Sequence, residues 1–239
     1  MSKKLSLLQY LMKSGRFSKS HDCEVAIRKG DVTLNGKVVD NPKFFFSPKK
    51  CVVKFNDEKL KTLNKLYYML NKPKGYICQK SEKEKSVYHL LPKLKLSKEE
   101  ISSLFVVGRL DKDTEGLLVV TNDGQLSSKL SNPKFEVDKE YFVLLKNPID
   151  HPTIQKIADG IKISLDGIPY TTKPCDIELR DKMCVVVTIS EGKKRQVRRM
   201  FEAAGNKVVY LKRTGIGKLK LRNLNRGKFE KIAREDILD

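Results

Sequence analysis

One segment constrains this chain more than any other: Gly108-Arg109-Leu110-Asp111-Lys112-Asp113-Thr114-Glu115-Gly116. Before it, Phe105 to Val107, and after it, Leu117 to Val120, are short aliphatic and β-branched runs that read as buried strands, and Asn122-Asp123-Gly124 is turn chemistry. A loop carrying one arginine, one lysine and three carboxylates between two apolar strands marks a site. Gly108 and Gly116 bracket it where the backbone needs a positive φ or a close approach. The plain alternative is a solvated turn whose charges do nothing. A calcium loop is the other: Asp111, Asp113, Glu115 and Gly116 imitate the start of an EF-hand. That reading fails because the twelfth position is Asn122 rather than a bidentate glutamate, and the flanks read as strands rather than helices.

The 239 residues hold one ordinary domain plus a small one, and 39% hydrophobic residues suffice for real cores. Lysine and arginine number 49 against 29 acids, a formal charge of +20, which points to a polyanionic partner. The five cysteines, Cys23, Cys51, Cys78, Cys175 and Cys184, are scattered without a Cys-x-x-Cys, so neither a disulfide framework nor a zinc site is expected. His21, His89 and His151 stand apart and are expected to be structural or exposed. After Met1-Ser2-Lys3-Lys4 comes only a short amphipathic segment, and no apolar run reaches the length of a membrane span, so a cytoplasmic location is expected. No Gly-rich phosphate loop is present, and no metal or other cofactor is expected.

Taken in order, Leu5, Leu8 and Met12 recur at helical spacing up to Gly15, and a second helix runs from about Ser20 through Cys23, Val25, Ala26 and Ile27 to Gly30. The period then changes to two. Val32 and Leu34 lead into Asn35-Gly36, a hairpin signal, with Val38 and Val39 beyond and a further strand at Cys51 to Phe55. Asn56 to Asn64 reads as a polar linker. Tyr67 to Leu70 is a strand, turned at Lys72-Pro73-Lys74-Gly75 so that Tyr76-Ile77-Cys78 returns. Val87 to Leu91 makes a short helical turn, and Ser97 with Glu100 forms a capping box. Beyond the charged loop, Gln125 to Leu130 is a short helix ended by Asn132-Pro133, Tyr141 to Leu145 a strand, Ile154 to Ala158 a helix ended by Gly160, and Met183 to Ile189 an apolar strand. Lys193-Lys194-Arg195-Gln196-Val197-Arg198-Arg199 opens a last helix with Val197, Met200, Phe201 and Ala204 inward. Basic residues at a helix N-terminus oppose the macrodipole, so phosphate binding explains them better than helix stability. Val208 to Leu211 is the last core strand, and Lys212 to Lys231 a basic tail with small strands.

Gly-Arg-Leu-Asp, Thr-Glu-Gly-Leu-Leu and Thr-Asn-Asp-Gly, all within residues 108–124, resemble the catalytic signature of the ribosomal-RNA pseudouridine synthases of the small- and large-subunit uridine type. Asn71 to Gly75 resembles that family's first motif and Lys193 to Met200 its third, whose wording leans to the large-subunit kind. Residues 1–60, through the helix spacing and Gly30-Asp31-Val32-Thr33-Leu34-Asn35-Gly36-Lys37-Val38, resemble the alpha-L RNA-binding module of a small-subunit ribosomal protein. A serine-arginine pair usually opens that module's second helix; here the residues are Ser18-Lys19-Ser20-His21, which keeps the charge but loses the bidentate fork.

The resemblance implies an α+β fold: the small N-terminal module, then a catalytic domain over residues 66–239 on a mainly antiparallel mixed sheet. It implies Asp111, Tyr141 and Arg198 as catalytic residues: Asp111 reacting, Tyr141 packing on the target uracil and helping to remove a proton from it, and Arg198 reaching Asp111, with Asp113 and Glu115 as loop framework. Arg109 would steady the loop or fill the vacated base stack, and Val197 would support the site. Lys19, Lys72, Lys74, Lys193, Lys194, Arg195 and Arg199 are the expected RNA contacts. The implied activity is isomerisation of a flipped-out uridine to pseudouridine in ribosomal RNA by a monomer. A non-catalytic RNA-binding ribosome-assembly protein is the alternative.

Overall fold

The computed structural model describes residues 4–17 and 19–238, so Met1 to Lys3 and Ser18, part of the segment expected to open the second helix, lie outside the described residues. The chain forms two compact units: residues 1–66 with 91–105, and residues 67–90 with 106–239.

In the first unit, β1 (Leu5–Ser6) runs into α1 (Leu7–Lys13) through a reciprocal cap: the Ser6 hydroxyl accepts the Gln9 amide and the Gln9 side chain accepts the Ser6 amide. That cap places Leu5 before the helix and turns Leu7, Tyr10 and Leu11 inward, one step away from the expected Leu5, Leu8 and Met12 stripe; Leu8 and Met12 are partly buried at its border. The second helix, α2 (Ser20–Arg28), buries Cys23, Ala26 and Ile27 and leaves Val25 outward. The hairpin of β2 (Val32–Leu34) and β3 (Lys37–Val38) turns at Asn35 (φ 51°) and Gly36 (φ 83°), the two positive φ values of a type I′ turn. Strand β4 (Phe45–Phe46) pairs with β1, and β5 (Val53–Phe55) with β2. The expected linker is partly structured: Asn56 and Asp57 make a second positive-φ turn into β6 (Glu58–Lys59), and buried Leu60 accepts the Tyr10 hydroxyl at 3.0 Å. Here too lies α3 (Lys98–Ser103), with the expected Ser97–Glu100 box complete.

The second unit is built on a mixed sheet of β7 (Tyr67–Lys72), β8 (Phe105–Val107), β9 (Glu115–Thr121), β10 (Lys139–Leu145), β13 (Asp176–Asp181), β14 (Cys184–Ile189), β15 (Val208–Ile216), β16 (Leu219–Lys220) and β17 (Phe229–Lys231). Its main order is β13-β14-β10-β15-β9-β7-β17, with β16 on β15 and β8 on β9. β9 and β15 pair in parallel, while β10 with β14 and β15, β13 with β14, β15 with β16, and β7 with β9 and β17 pair antiparallel, so the sheet is mainly antiparallel, as expected. All seven residues of β9 are buried, which is why its sequence reads as a continuous apolar run instead of an alternation. Helices α4 (Gly124–Ser131), α5 (His151–Ala158) and α6 (Gln196–Ala203) and the hairpin β11 (Lys162–Leu165) with β12 (Ile168–Thr171) complete the unit. Two readings need correction. Tyr76 to Cys78 does not return as a strand but makes a single bridge, Ile77 to Ser86. Strand β15 extends through Ile216, so Lys212 and Arg213 belong to the sheet and not to a basic tail.

Candidate active site

The charged loop leaves β8, turns at Gly108 (φ 68°) and enters β9 at Gly116 (φ 108°). A Cβ at Gly116 would stand 2.7 Å from the Arg213 amide nitrogen, because the parallel register sets Gly116 against Arg213. Glycine is therefore required there by close approach as well as by φ.

The loop backbone is fastened from below. Lys72, 0% exposed, donates from Nζ to the carbonyls of Pro73 (3.2 Å), Asp111 (3.1 Å) and Thr114 (2.7 Å), which satisfies all three ammonium donors. It is thus a structural cation closed off from solvent, which corrects the expectation that it contacts RNA; burial lowers its pKa. The Gly75 amide donates to the Lys112 carbonyl at 2.7 Å, and buried Cys78 both accepts from the Leu110 amide and donates to its carbonyl, each at 3.3 Å. All five cysteines are free thiols.

The three loop carboxylates differ in their partners. Buried Glu115 accepts the Tyr210 hydroxyl at 2.8 Å and pairs with Arg226 at 3.0 Å. Asp113 receives a bidentate pair from Arg195 at 3.0 and 3.1 Å, and Arg198 adds a contact at 3.2 Å. Burial alone would raise the Asp113 carboxyl, but the Arg195 hydrogen bonds and the Arg198 charge outweigh it and hold the pKa below the usual carboxylate value. Asp111 has no such pairing: its nearest cation is Arg195 at 3.8 Å, and 39% of its side chain is exposed. The sequence resemblance had Arg198 reaching Asp111. Instead Arg198 spends Nη2 on the Asp113 carbonyl (3.1 Å) and carboxylate and Nη1 on the Val208 carbonyl (3.1 Å), so its side chain ties α6 to the loop and to β15.

Asp111 opens onto a cleft of about 820 Å³, within the usual size for small-molecule sites. Its lining includes Arg109, Tyr141, Val197, Leu211 and Arg213, together with Glu191 to Gln196. Tyr141 is buried on β10, and its hydroxyl makes no hydrogen bond among the described residues. Val197 is buried at the start of α6, and Arg109 is exposed. Lys139, also in the cleft wall, donates to the Val137 carbonyl at 2.7 Å; burial and then the nearby Arg213 charge lower its pKa.

The basic run straddles the start of α6: Lys193, Lys194 and Arg195 precede it, Arg195 as its N-cap at φ 54°, and Arg198 and Arg199 lie in its first turn. Buried Glu191 shapes the loop before α6: it accepts from Gln196 (2.6 Å), Tyr170 (2.5 Å) and the Lys173 amide (3.0 Å). The Glu191 hydrogen bond, with burial, pushes the Tyr170 phenol up to about 12. Among the expected RNA contacts, Lys19, Lys74 and Lys193 are exposed and form no ion pair among the described residues, while Lys193 lies 4.7 Å from the Tyr170 ring centre. Lys194 pairs with Asp166 at 3.1 Å. Arg199 gives Nη1 to the Ser164 carbonyl at 2.6 Å and Nη2 to Asp166, so it holds the β11–β12 turn and is not free for phosphate.

The sequence reading missed Arg213, Cys78 and Glu191. Arg213 and Glu191 had no separate signal, one hidden in a lysine-rich tail and the other at the rim of a basic run. Among the described residues no cluster of histidine, cysteine and acid side chains is arranged to hold a metal, and no helix is long and apolar enough to cross a membrane.

The family model described as RNA pseudouridylate synthase matches residues 66–203. The chain is 35% identical over 212 residues to ribosomal small subunit pseudouridine synthase A of Salmonella typhimurium, covering 88% of this chain and 89% of that protein. It is 34% identical over 239 residues to an uncharacterized RNA pseudouridine synthase of Aquifex aeolicus, covering 98% and 94%. A crystal structure of a pseudouridylate synthase superposes with a TM-score of 0.67 at 33% identity over 97% of each chain.

Proposed function

This chain belongs to the RNA pseudouridylate synthase family, and on that premise we propose that it isomerises uridine in small-subunit ribosomal RNA with Asp111 as the catalytic carboxylate. One observation carries the assignment: of the three loop carboxylates, Asp113 and Glu115 are held in charge pairs of 3.0 to 3.2 Å, whereas Asp111 lines the cleft with only the looser contact to Arg195 at 3.8 Å. A nucleophile spent on a salt bridge would first have to give it up; Asp111 does not.

Turning uridine into pseudouridine breaks the bond between ribose and ring nitrogen, rotates the base and joins it through a ring carbon. None of this fits inside a stacked helix, so the nucleotide is flipped out at a cost of about a few kcal/mol. The cleft has the room to receive it. In this reading the Asp111 carboxylate acts as nucleophile toward the sugar-base unit, and the Tyr141 ring packs on the uracil. Arg195, at 3.8 Å, is the cation beside Asp111, the place the resemblance had given to Arg198. Arg198 sets the loop through Asp113. Arg109, exposed at the cleft, fits a role in the vacated stack, and Lys19, Lys74 and Lys193 are the free cations suited to phosphate.

The small subunit is proposed because the Salmonella relative carries that name. The cleft is complete within one chain, which supports a monomer as the acting species, and a ribosomal substrate fits a cytoplasmic site of work.

Asp111→Asn tests the proposal. The substitution is nearly isosteric, so melting temperature and RNA binding should stay within error of the parent while pseudouridine formed on small-subunit ribosomal RNA drops below detection. A variant that still turns over would remove Asp111 from the reaction. A parent protein that modifies only large-subunit RNA would overturn the substrate.

A further inference from the structure

Among the described residues Arg213 is the largest fully buried side chain, 1% exposed, and it has no carboxylate within ion-pair distance. Burying a cation without a counter-charge costs several kcal/mol, so simple packing does not account for it. Its surroundings do. Arg213 lies on β15 between two strands that carry the chemistry: its antiparallel partner across to β10 is Tyr141, and its parallel partner on β9 is Gly116. The side chain donates from Nε to the Leu117 carbonyl at 2.8 Å and from Nη2 to the Gly108 carbonyl at 2.6 Å. Those two carbonyls stand at the two ends of the loop that carries Asp111.

We propose that Arg213 is a positioning residue for the isomerisation: its guanidinium clamps both ends of the Asp111 loop to the strand beside Tyr141, and so fixes the carboxylate relative to the ring on which the base rests. This inference builds on the reading of Asp111 and Tyr141 given above. Only a planar, multi-point donor serves here. A lysine ammonium sends all its donors from one atom, as Lys72 does to carbonyls that converge on it, whereas the Leu117 and Gly108 carbonyls are met by two separate atoms of the rigid guanidinium, Nε and Nη2. Gly116, with no side chain, leaves the backbones of β9 and β15 close enough for the clamp to close. Misplacing a reacting group by about 1 Å costs on the order of a hundredfold in rate. Affinity for RNA, by contrast, comes mainly from phosphate contacts that Arg213 does not make.

The test compares Arg213→Lys and Arg213→Ala with the parent, with Asp111→Asn alongside, on ribosomal RNA, normalised to folded protein by a melting curve. Arg213→Lys should lower kcat on the order of a hundredfold and leave KM for RNA within about twofold, the pattern of a lost transition-state arrangement. Arg213→Ala leaves a guanidinium-sized gap, so guanidinium at millimolar concentration, far below denaturing levels, should raise its kcat, while ammonium at the same concentration should not. A melting temperature that falls with kcat per folded molecule unchanged would overturn the proposal and leave Arg213 a purely structural residue. So would rescue by ammonium equal to rescue by guanidinium. If Asp111→Asn keeps its activity, the error lies in the Asp111 reading; if it is dead while Arg213→Lys turns over at the parental rate, only the clamp fails.

Discussion

Asp111 and Asp113 are separated by one residue and have opposite employment. Asp113 is committed to Arg195 and Arg198, and its carboxyl is held below the usual value by those contacts. A depressed folded-state pKa contributes stability that is present above the unfolded value and is lost as pH falls through the folded one. Asp113→Asn should therefore be less stable than the parent at neutral pH, and the gap should begin to close as pH falls below about 4, where the carboxyl of the unfolded chain takes up its proton before that of the folded one. Because 40% of the side chain is exposed, the gap is expected to be small. Urea unfolding from pH 7 down to pH 3 reads it directly, and a gap that stays constant with pH would mean the pair contributes through something other than charge. The loop's special residues were legible in the sequence because their signals are local: glycines bracketing a run of charges. Lys72 was misread for the same reason. A lysine before Pro-Lys-Gly looks like the exposed edge of a turn, and nothing nearby in sequence shows that the carbonyls of Asp111 and Thr114 close over it.

Strand β9 is buried along its whole length and meets β15 in a parallel pairing, at Gly116 and Arg213. Gly116→Ala would put a side chain at φ 108° and against the Arg213 backbone, two penalties at one point. We expect a loss of at least about 2 kcal/mol by urea unfolding, since both left-handed strain and steric overlap act. A substitution that costs nothing would show that the two strands can part there without penalty. Elements with a strong local signature were legible: the Asn35-Gly36 hairpin, the Ser97–Glu100 cap, and α4 and α5 ended by Asn132 and Gly160. Elements whose ends are set by distant partners were not. The basic run reads as helix from its first lysine, yet α6 begins only at Gln196, after Glu191 has drawn the preceding residues into a loop. The Tyr76 to Cys78 segment has strand composition but finds a single bridge, in which the Ile77 amide donates to the Lys85 carbonyl and the Ile77 carbonyl accepts from the Val87 amide.

At the scale of the molecule, the sequence suggests two consecutive domains, whereas the first unit holds residues 91–105 as well as 1–66. A left-to-right reading sees composition shifts and linkers; it does not see a segment that leaves one unit to complete another. Leu91 and Leu104 are each 2% exposed in that first unit. A chain beginning at Tyr67 keeps residues 91–105 but loses the rest of their unit, where Gly15 packs against the Glu99 carbonyl. It should bind a hydrophobic dye and aggregate, whereas the same chain with 91–105 replaced by a short glycine-serine link should keep its sheet, by circular dichroism, and stay in solution. Equal solubility of the two would show that the segment is indifferent to its partners. The same discontinuity bears on descent. Recombination between relatives can exchange the N-terminal module intact only if crossovers fall at three places, after residues 66, 90 and 105. A single crossover near residue 66 would join one parent's module to the other parent's 91–105 segment, so these two stretches of the gene are under pressure to be inherited together.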